Sequence, residues 1–166
     1  MVNITKKLSL FFAVLIIFLV AGSFTSLLGK LYAGSYIIDG EFDGCEFGKL
    51  YPISGGGILE CREYNYFYEF SPEVIANGRQ VKTIGSNKVS GYLHNGSVIE
   101  TSVSDDFEGC DFDKRIEFLN GLIFICQTYS YTYSYMPKVK IFIIENRLPQ
   151  VFIKGKEYKG KLFKPN

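Results

Sequence analysis

Displaced by 65 positions, the chain matches itself. Phe42-Asp43-Gly44-Cys45-Glu46-Phe47-Gly48-Lys49 falls on Phe107-Glu108-Gly109-Cys110-Asp111-Phe112-Asp113-Lys114 without a gap. Gly56, Ile58 and Cys61 fall on Gly121, Ile123 and Cys126, and Tyr64, Tyr66 and Tyr68 fall on Tyr129, Tyr131 and Tyr133. Pro72 and Val74 meet Pro137 and Val139, so thirteen of the 33 positions from Phe42 to Val74 are identical. Beyond Val74 a four-residue gap restores the match, with Gly91 and Leu93 on Gly160 and Leu162. Two copies are too few for a solenoid, which needs three or more to bury a continuous core. A duplicated small domain fits, with one copy over 36–93, the other over 103–163, and a joint at His94–Ser102.

Each copy reads as antiparallel strands. Arg115–Leu119 faces Leu122–Tyr135 across Asn120-Gly121, a two-residue hairpin signal, and Ser54–Gly57 holds the same place in the first copy. Proline cannot donate into a ladder, so Pro72 and Pro137 end the long strand. Glu73–Ala76, Gln80–Ile84 and Lys88–Leu93 complete the first meander, and Lys138–Glu145, Gln150–Lys154 and Glu157–Phe163 the second. The fold class is therefore all-β: two small SH3-like barrels, or the two copies paired as one sandwich about a pseudo-two-fold axis. The repeated unit, with its Gly-Cys-acid-Phe opening, second Cys and Tyr-x-Tyr-x-Tyr strand, resembles small uncharacterised bacterial proteins. That resemblance implies no activity.

The one helix expected lies at the N-terminus, in 1–30. Lys6 and Lys7 precede 22 uncharged residues, Leu8 to Gly29, and Lys30 closes the run. That length crosses roughly 30 Å of hydrocarbon as a helix. One reading is a single-pass anchor in a bacterial inner membrane, with the lysines inside and the rest in the periplasm. The other is a signal peptide cleaved after Ala21-Gly22-Ser23, releasing a periplasmic or secreted chain. Phe24–Leu28 prolongs the apolar run past that point, which favours the anchor. The membrane is thus an expected partner.

Export bears on the cysteines. Four in an exported chain imply two disulfides. Cys45 with Cys61 and Cys110 with Cys126 would staple each copy. Cys45 with Cys110 and Cys61 with Cys126 would join the copies instead. A two-residue turn sets Cys126 opposite Arg115, so Cys110 reaches it only if Asp111–Lys114 doubles back, which Gly48 and Asp113 allow at that position.

The strand after the second cysteine alternates at period two. Tyr129, Tyr131, Tyr133 and Tyr135 interleave with Thr128, Ser130, Thr132 and Ser134, and Tyr64, Tyr66, Tyr68 and Phe70 with Glu63, Asn65, Phe67 and Glu69. One face of each strand is aromatic. If that face is core, seven phenol hydroxyls must find buried partners in a chain that has fifteen Phe to use instead. If it is a binding surface, Tyr66, Tyr68, Tyr131 and Tyr133 are its candidates. A division is expected along the strand, with Tyr64 and Tyr129 buried near the cysteines and Tyr68 and Tyr133 exposed near the prolines.

No catalytic constellation accompanies this. The acids Asp43, Glu46, Glu108 and Asp111 flank cysteines in Gly-containing loops, and no calcium loop, nucleophile elbow or phosphate loop occurs. His94, the only histidine, reads as a joint residue, Asn95-Gly96-Ser97 is a glycosylation sequon by pattern alone, and neither metal nor cofactor is expected. Lys plus Arg is 18 against 17 acids, which with no basic stripe argues against nucleic acid. The expectation is a non-enzymatic envelope module that binds another protein, as an inhibitor or immunity-like protein would. A structural envelope component is the alternative, and a hydrolase using the acidic loops the weaker one.

Overall fold

The computed structural model describes residues 34–164, and among these the chain is all-β. The expected N-terminal helix lies outside the described residues. The first copy contains β1 (Gly34–Ile37), β2 (Glu41–Phe42), β3 (Leu50–Pro52), β4 (Ile58–Cys61), β5 (Glu69–Phe70), β6 (Glu73–Asn77), β7 (Gln80–Ile84) and β8 (Asn87–His94). The second contains β9 (Gly96–Ser102), β10 (Asp106–Cys110), β11 (Arg115–Glu117), β12 (Ile123–Cys126), β13 (Ser130–Tyr135) and β14 (Lys138–Ile144). It ends with β15 (Gln150–Ile153), β16 (Lys156–Tyr158) and β17 (Gly160–Phe163), the last two together matching β8.

The duplication extends to backbone pairing. Gly34 opposite Ala76 becomes Ile99 opposite Ile141, and Leu50 opposite Glu60 becomes Arg115 opposite Ile125. Cys61 opposite Gly91 becomes Cys126 opposite Gly160. In the first copy six strands form one antiparallel sheet in the order β1-β6-β7-β8-β4-β3. The sheet curls until its edges meet at Ile38 and Ile53, where Asp39 N donates to Pro52 O at 2.9 Å. In the second copy Val103 and Phe118 meet in the same way, and Ser104 N donates to Glu117 O at 2.9 Å. Alternating apolar residues fill the interiors: Ile38, Phe42, Leu59, Val74, Ile84 and Leu93 in one, Phe107, Phe124, Val139, Ile141 and Ile153 in the other.

Three features depart from the sequence reading. The stretch read as a joint, His94–Ser102, contains β9, the first strand of the second copy, which pairs along its whole length with β14. The long strand Leu122–Tyr135 is two strands, with β12 in the three-stranded sheet β11-β12-β17 while β13 leaves it to pair with β10. The hairpin at Asn120 has a three-residue loop. Gly121 N donates to Phe118 O at 2.8 Å and Phe118 N to Leu122 O at 2.9 Å, with Gly121 left-handed at φ +81°. A left-handed glycine closing a type I turn adds one residue to the loop. The register therefore slips by one, placing Arg115 opposite Ile125.

That slip resolves the reach of the cysteines. Cys126 N now donates to Lys114 O at 3.0 Å, and Asp113, at φ +61°, turns the chain back so that its N–H meets Cys126 O at 3.0 Å. Gly48, at φ +85°, does the same in the first copy. The bridges are Cys45–Cys61 and Cys110–Cys126, with Cα separations of 5.4 and 5.6 Å. The staples lie within the copies, and no bridge crosses between them.

The copies share a small apolar cluster of Leu50, Ile58, Phe142 and Ile144, with Val98 and Phe152 packed against it. Leu50 and Phe142 are matched by Arg115 and Asn77 in the opposite copy, and both of those are exposed. The two copies thus meet through different faces, a head-to-tail contact, rather than the self-complementary one a two-fold sandwich requires.

Candidate functional site

The aromatic segments lie over the sheets beside two ribbons. β10 pairs with β13, which holds Tyr131, Tyr133 and Tyr135. In the first copy Tyr64, Tyr66 and Tyr68 run between the Cys45–Asn65 bridge and the short β2–β5 pair. Glycine permits the close approach. A Cβ on Gly44, at φ +94°, would lie 2.7 Å from Asn65 O, and one on Gly109, at φ +88°, would run into Ser130 O. The residues two places earlier, Phe42 and Phe107, point inward and are fully buried. Phe42 packs 4.8 Å from both Tyr51 and Phe67, and Phe107 meets Tyr158 edge-on at 5.3 Å. The disulfide beside each completes the floor.

That floor decides which way the ribbon faces. Little room remains beneath β13, so Ser130, Thr132 and Ser134 turn inward, half-buried, and the aromatic positions turn out. Tyr64, Tyr66, Tyr68, Phe70, Tyr129, Tyr131, Tyr133 and Tyr135 are all between 59% and 78% exposed. The core reading of this face is overturned, and so is the expected division, because Tyr64 and Tyr129 are as open as Tyr68 and Tyr133. Phe47 and Phe112, at the tips of the cysteine turns, add a further matched pair of exposed rings, at 61% and 67%. Sequence reasoning passed over these two, although Phe in a polar turn at the same place in both copies was the available signal.

The acids of the cysteine loops do not converge. Asp43 accepts from Lys49 Nζ at 2.8 Å and from Tyr51 Oη at 2.6 Å. Partial burial would raise the Asp43 pKa, but these two bonds outweigh it and hold the carboxyl below its usual value. Burial, reinforced by the Asp43 carboxylate, pushes the Tyr51 hydroxyl upward, so it remains a donor. Asp111 accepts from Phe112 N at 2.8 Å within its own turn. Among the described residues no group of three or more His, Cys, Asp or Glu is placed to hold a metal ion.

His94 is not a joint residue. It ends β8, is buried, and its Nε2 lies 2.6 Å from Glu60 Oε2. The same oxygen accepts from Arg62 at 3.1 Å and from Arg147 of the second copy at 3.2 Å. Glu60 is therefore a buried acceptor tying the two copies together, an arrangement legible only in three dimensions, since Arg147 lies 87 positions away. Asn95, of the sequon, donates to Glu145 at 3.3 Å in the same seam.

Burial lowers the His94 pKa from 6.5, and Arg147 and Arg62 lower it further against the pull of Glu60. On acidification the unfolded chain therefore takes the proton first. Stability must fall as the pH drops below about 6.5 and level off below the folded pKa, with no His94 contribution above that window. Urea midpoints at pH 7.5 and pH 5.5 are expected to fall for the native chain and to fall less for His94→Asn. Equal falls in the two chains would remove His94 from the acid response.

The exposed aromatic ribbons are thus the candidate site, and the seam around Glu60 is structural. Comparison with protein-family models, with curated proteins and with solved structures found no match for this chain.

Proposed function

We propose that the chain is a non-enzymatic binding module of the cell envelope that recognises another protein through its aromatic ribbons, as an inhibitor or immunity-like protein would. In this reading each copy belongs with the small SH3-like barrels, which present ligand surfaces, and the N-terminal apolar run holds the module outside the cytoplasm. One observation carries the reading: seven tyrosines and one phenylalanine stand outward at matched positions in the two copies, while the residues between them are half-buried. Those residues are Glu63, Asn65, Phe67 and Glu69 in one copy and Thr128, Ser130, Thr132 and Ser134 in the other. Tyrosine suits such a surface because a rigid ring and a polar hydroxyl serve an apolar and a wet contact together.

The test uses the full chain in its own membranes. Tyr66→Ser/Tyr68→Ser and Tyr131→Ser/Tyr133→Ser should each change stability by no more than about 0.5 kcal/mol per site, as exposed positions do. Recovery of a cross-linked partner should drop sharply when both pairs are changed. A reporter fused after Asn166 should be active outside the cytoplasm and silent inside it. Undiminished cross-linking by the fourfold variant, or a reporter active only inside, would refute the reading.

A further inference from the structure

The two ribbons differ in charge, and that difference assigns a partner chemistry to one of them. Building on the protein-binding reading above, we propose that the β10–β13 ribbon binds an extended, lysine- or arginine-bearing polypeptide segment. Asp106 stands directly across the ladder from Tyr135, on the same outward face. Glu108 occupies the bulge between Phe107 and Gly109, and Asp105 precedes the strand. All three are exposed, and among the described residues none is in an ion pair. Asp105 accepts from the neighbouring Asp106 N, at 2.8 Å. The Tyr133 hydroxyl registers this field: the Asp106 charge first, then desolvation and its hydrogen bond to Asp106, then the charges of Glu108 and Asp105, raise its pKa.

The first ribbon spends its acids elsewhere. Asp43 is held by Lys49 and Tyr51, and Glu63 accepts from Ser90 N at 2.8 Å. Glu69 turns inward against Gly85. Only Glu41, opposite Phe70, stands beside the aromatic face. The second ribbon therefore sets three exposed carboxylates beside a row of phenol rings, with Asp106 accepting from the Tyr133 hydroxyl, where the first ribbon sets one.

That combination selects for a cation. Ammonium and guanidinium groups are attracted to the faces of tyrosine rings and to nearby carboxylates together. Alternate residues on β13 stand roughly 7 Å apart, which matches alternate side chains of an extended partner. Lys156 is engaged at the far end, donating to Ser130 Oγ at 2.7 Å and lying over the Tyr158 ring. It directs the basic residues of the partner to the end holding Tyr133 and Tyr135. An anionic lipid surface or a nucleic acid would meet three uncompensated carboxylates here and be repelled.

Full-length protein in neutral detergent would be titrated with an octapeptide alternating Lys and Val, its Glu-Val counterpart, and phosphatidylglycerol vesicles, followed through the tyrosine ring resonances. The Lys peptide should bind, moving the rings of Tyr131, Tyr133 and Tyr135, while the other two probes leave them unmoved. Asp106→Asn/Glu108→Gln should weaken that binding about tenfold or more, whereas Glu41→Gln, with its melting curve as the control for folding, should leave it unchanged. Rising salt should weaken the native interaction. Absence of Lys peptide binding, equal binding of the Glu peptide, preference for the vesicles, or indifference to Asp106→Asn/Glu108→Gln would overturn the assignment. Partner cross-linking in membranes separates the two claims. If Asp106→Asn/Glu108→Gln leaves it intact while the tyrosine changes abolish it, the basic-segment assignment falls and protein recognition stands. If neither set affects it, both fall.

Discussion

Replacing Cys110 and Cys126 together by Ala is expected to cost about 3 kcal/mol, and replacing all four cysteines is expected to leave the protein unfolded at room temperature. Each bridge closes a loop with a sequence separation of 16. Loops of that size lose about 3 kcal/mol of unfolded-state entropy when cross-linked. All four cysteines are also nearly or wholly buried, so Ala leaves a void as well as a cut staple. A small domain has only about 5–15 kcal/mol in hand. The location of the bridges adds to the effect, because Cys110 is where the β10–β13 ribbon is fastened to β12. Urea unfolding of the oxidised chain, the chain under reductant and the two Ala variants measures this directly. A fourfold variant with an unchanged midpoint would show that the two copies stand without their staples.

Phe107→Ala should destabilise the protein by about 3–5 kcal/mol, the cost of emptying a fully buried aromatic site. The same replacement at Tyr131 should cost no more than about 0.5 kcal/mol. Both residues belong to one ribbon, and Tyr131 sits opposite Gly109, two positions from Phe107. The contrast therefore measures the difference between the ribbon's faces. Phe42→Ala repeats the first result in the other copy, where the side chain packs against Tyr51 and Phe67. Similar losses at Phe107 and Tyr131 would mean the rings are part of the core in solution, and the proposed surface would not exist. Guanidinium titrations of the three variants, with slopes compared to exclude a change in the unfolded state, distinguish the outcomes.

Much of this architecture was legible in the residues. The displacement of 65 positions gave matched elements whose pairings coincide in the two copies, because the same alternation of apolar side chains asks for the same register. Doubling back at Gly48 and Asp113 was readable from residue types that accept left-handed backbone, and both do adopt it. The hairpin at Asn120-Gly121 was recognised but given two residues instead of three. Local sequence marks a turn without stating whether the glycine closes it or follows its first half.

What the sequence determined by itself was periodicity and covalent reach: an all-β duplication, one disulfide loop available within each copy, and a strand with one aromatic and one polar face. Which face turns inward was settled only by tertiary structure. Period two states that the faces differ, and hydrophobicity alone would bury the tyrosines. The space beneath the ribbon is already filled by Phe107, Tyr158 and the Cys110–Cys126 bridge, and Gly109 brings the strand too close for a second layer of rings. Small Ser and Thr side chains fit under β13 and its tyrosines go to solvent, whereas in the first copy Phe67 turns in against Phe42 between the exposed Tyr66 and Tyr68. The Glu60 seam was decided in the same way, since a carboxylate in β4 meets Arg147 only when the two copies pack head to tail.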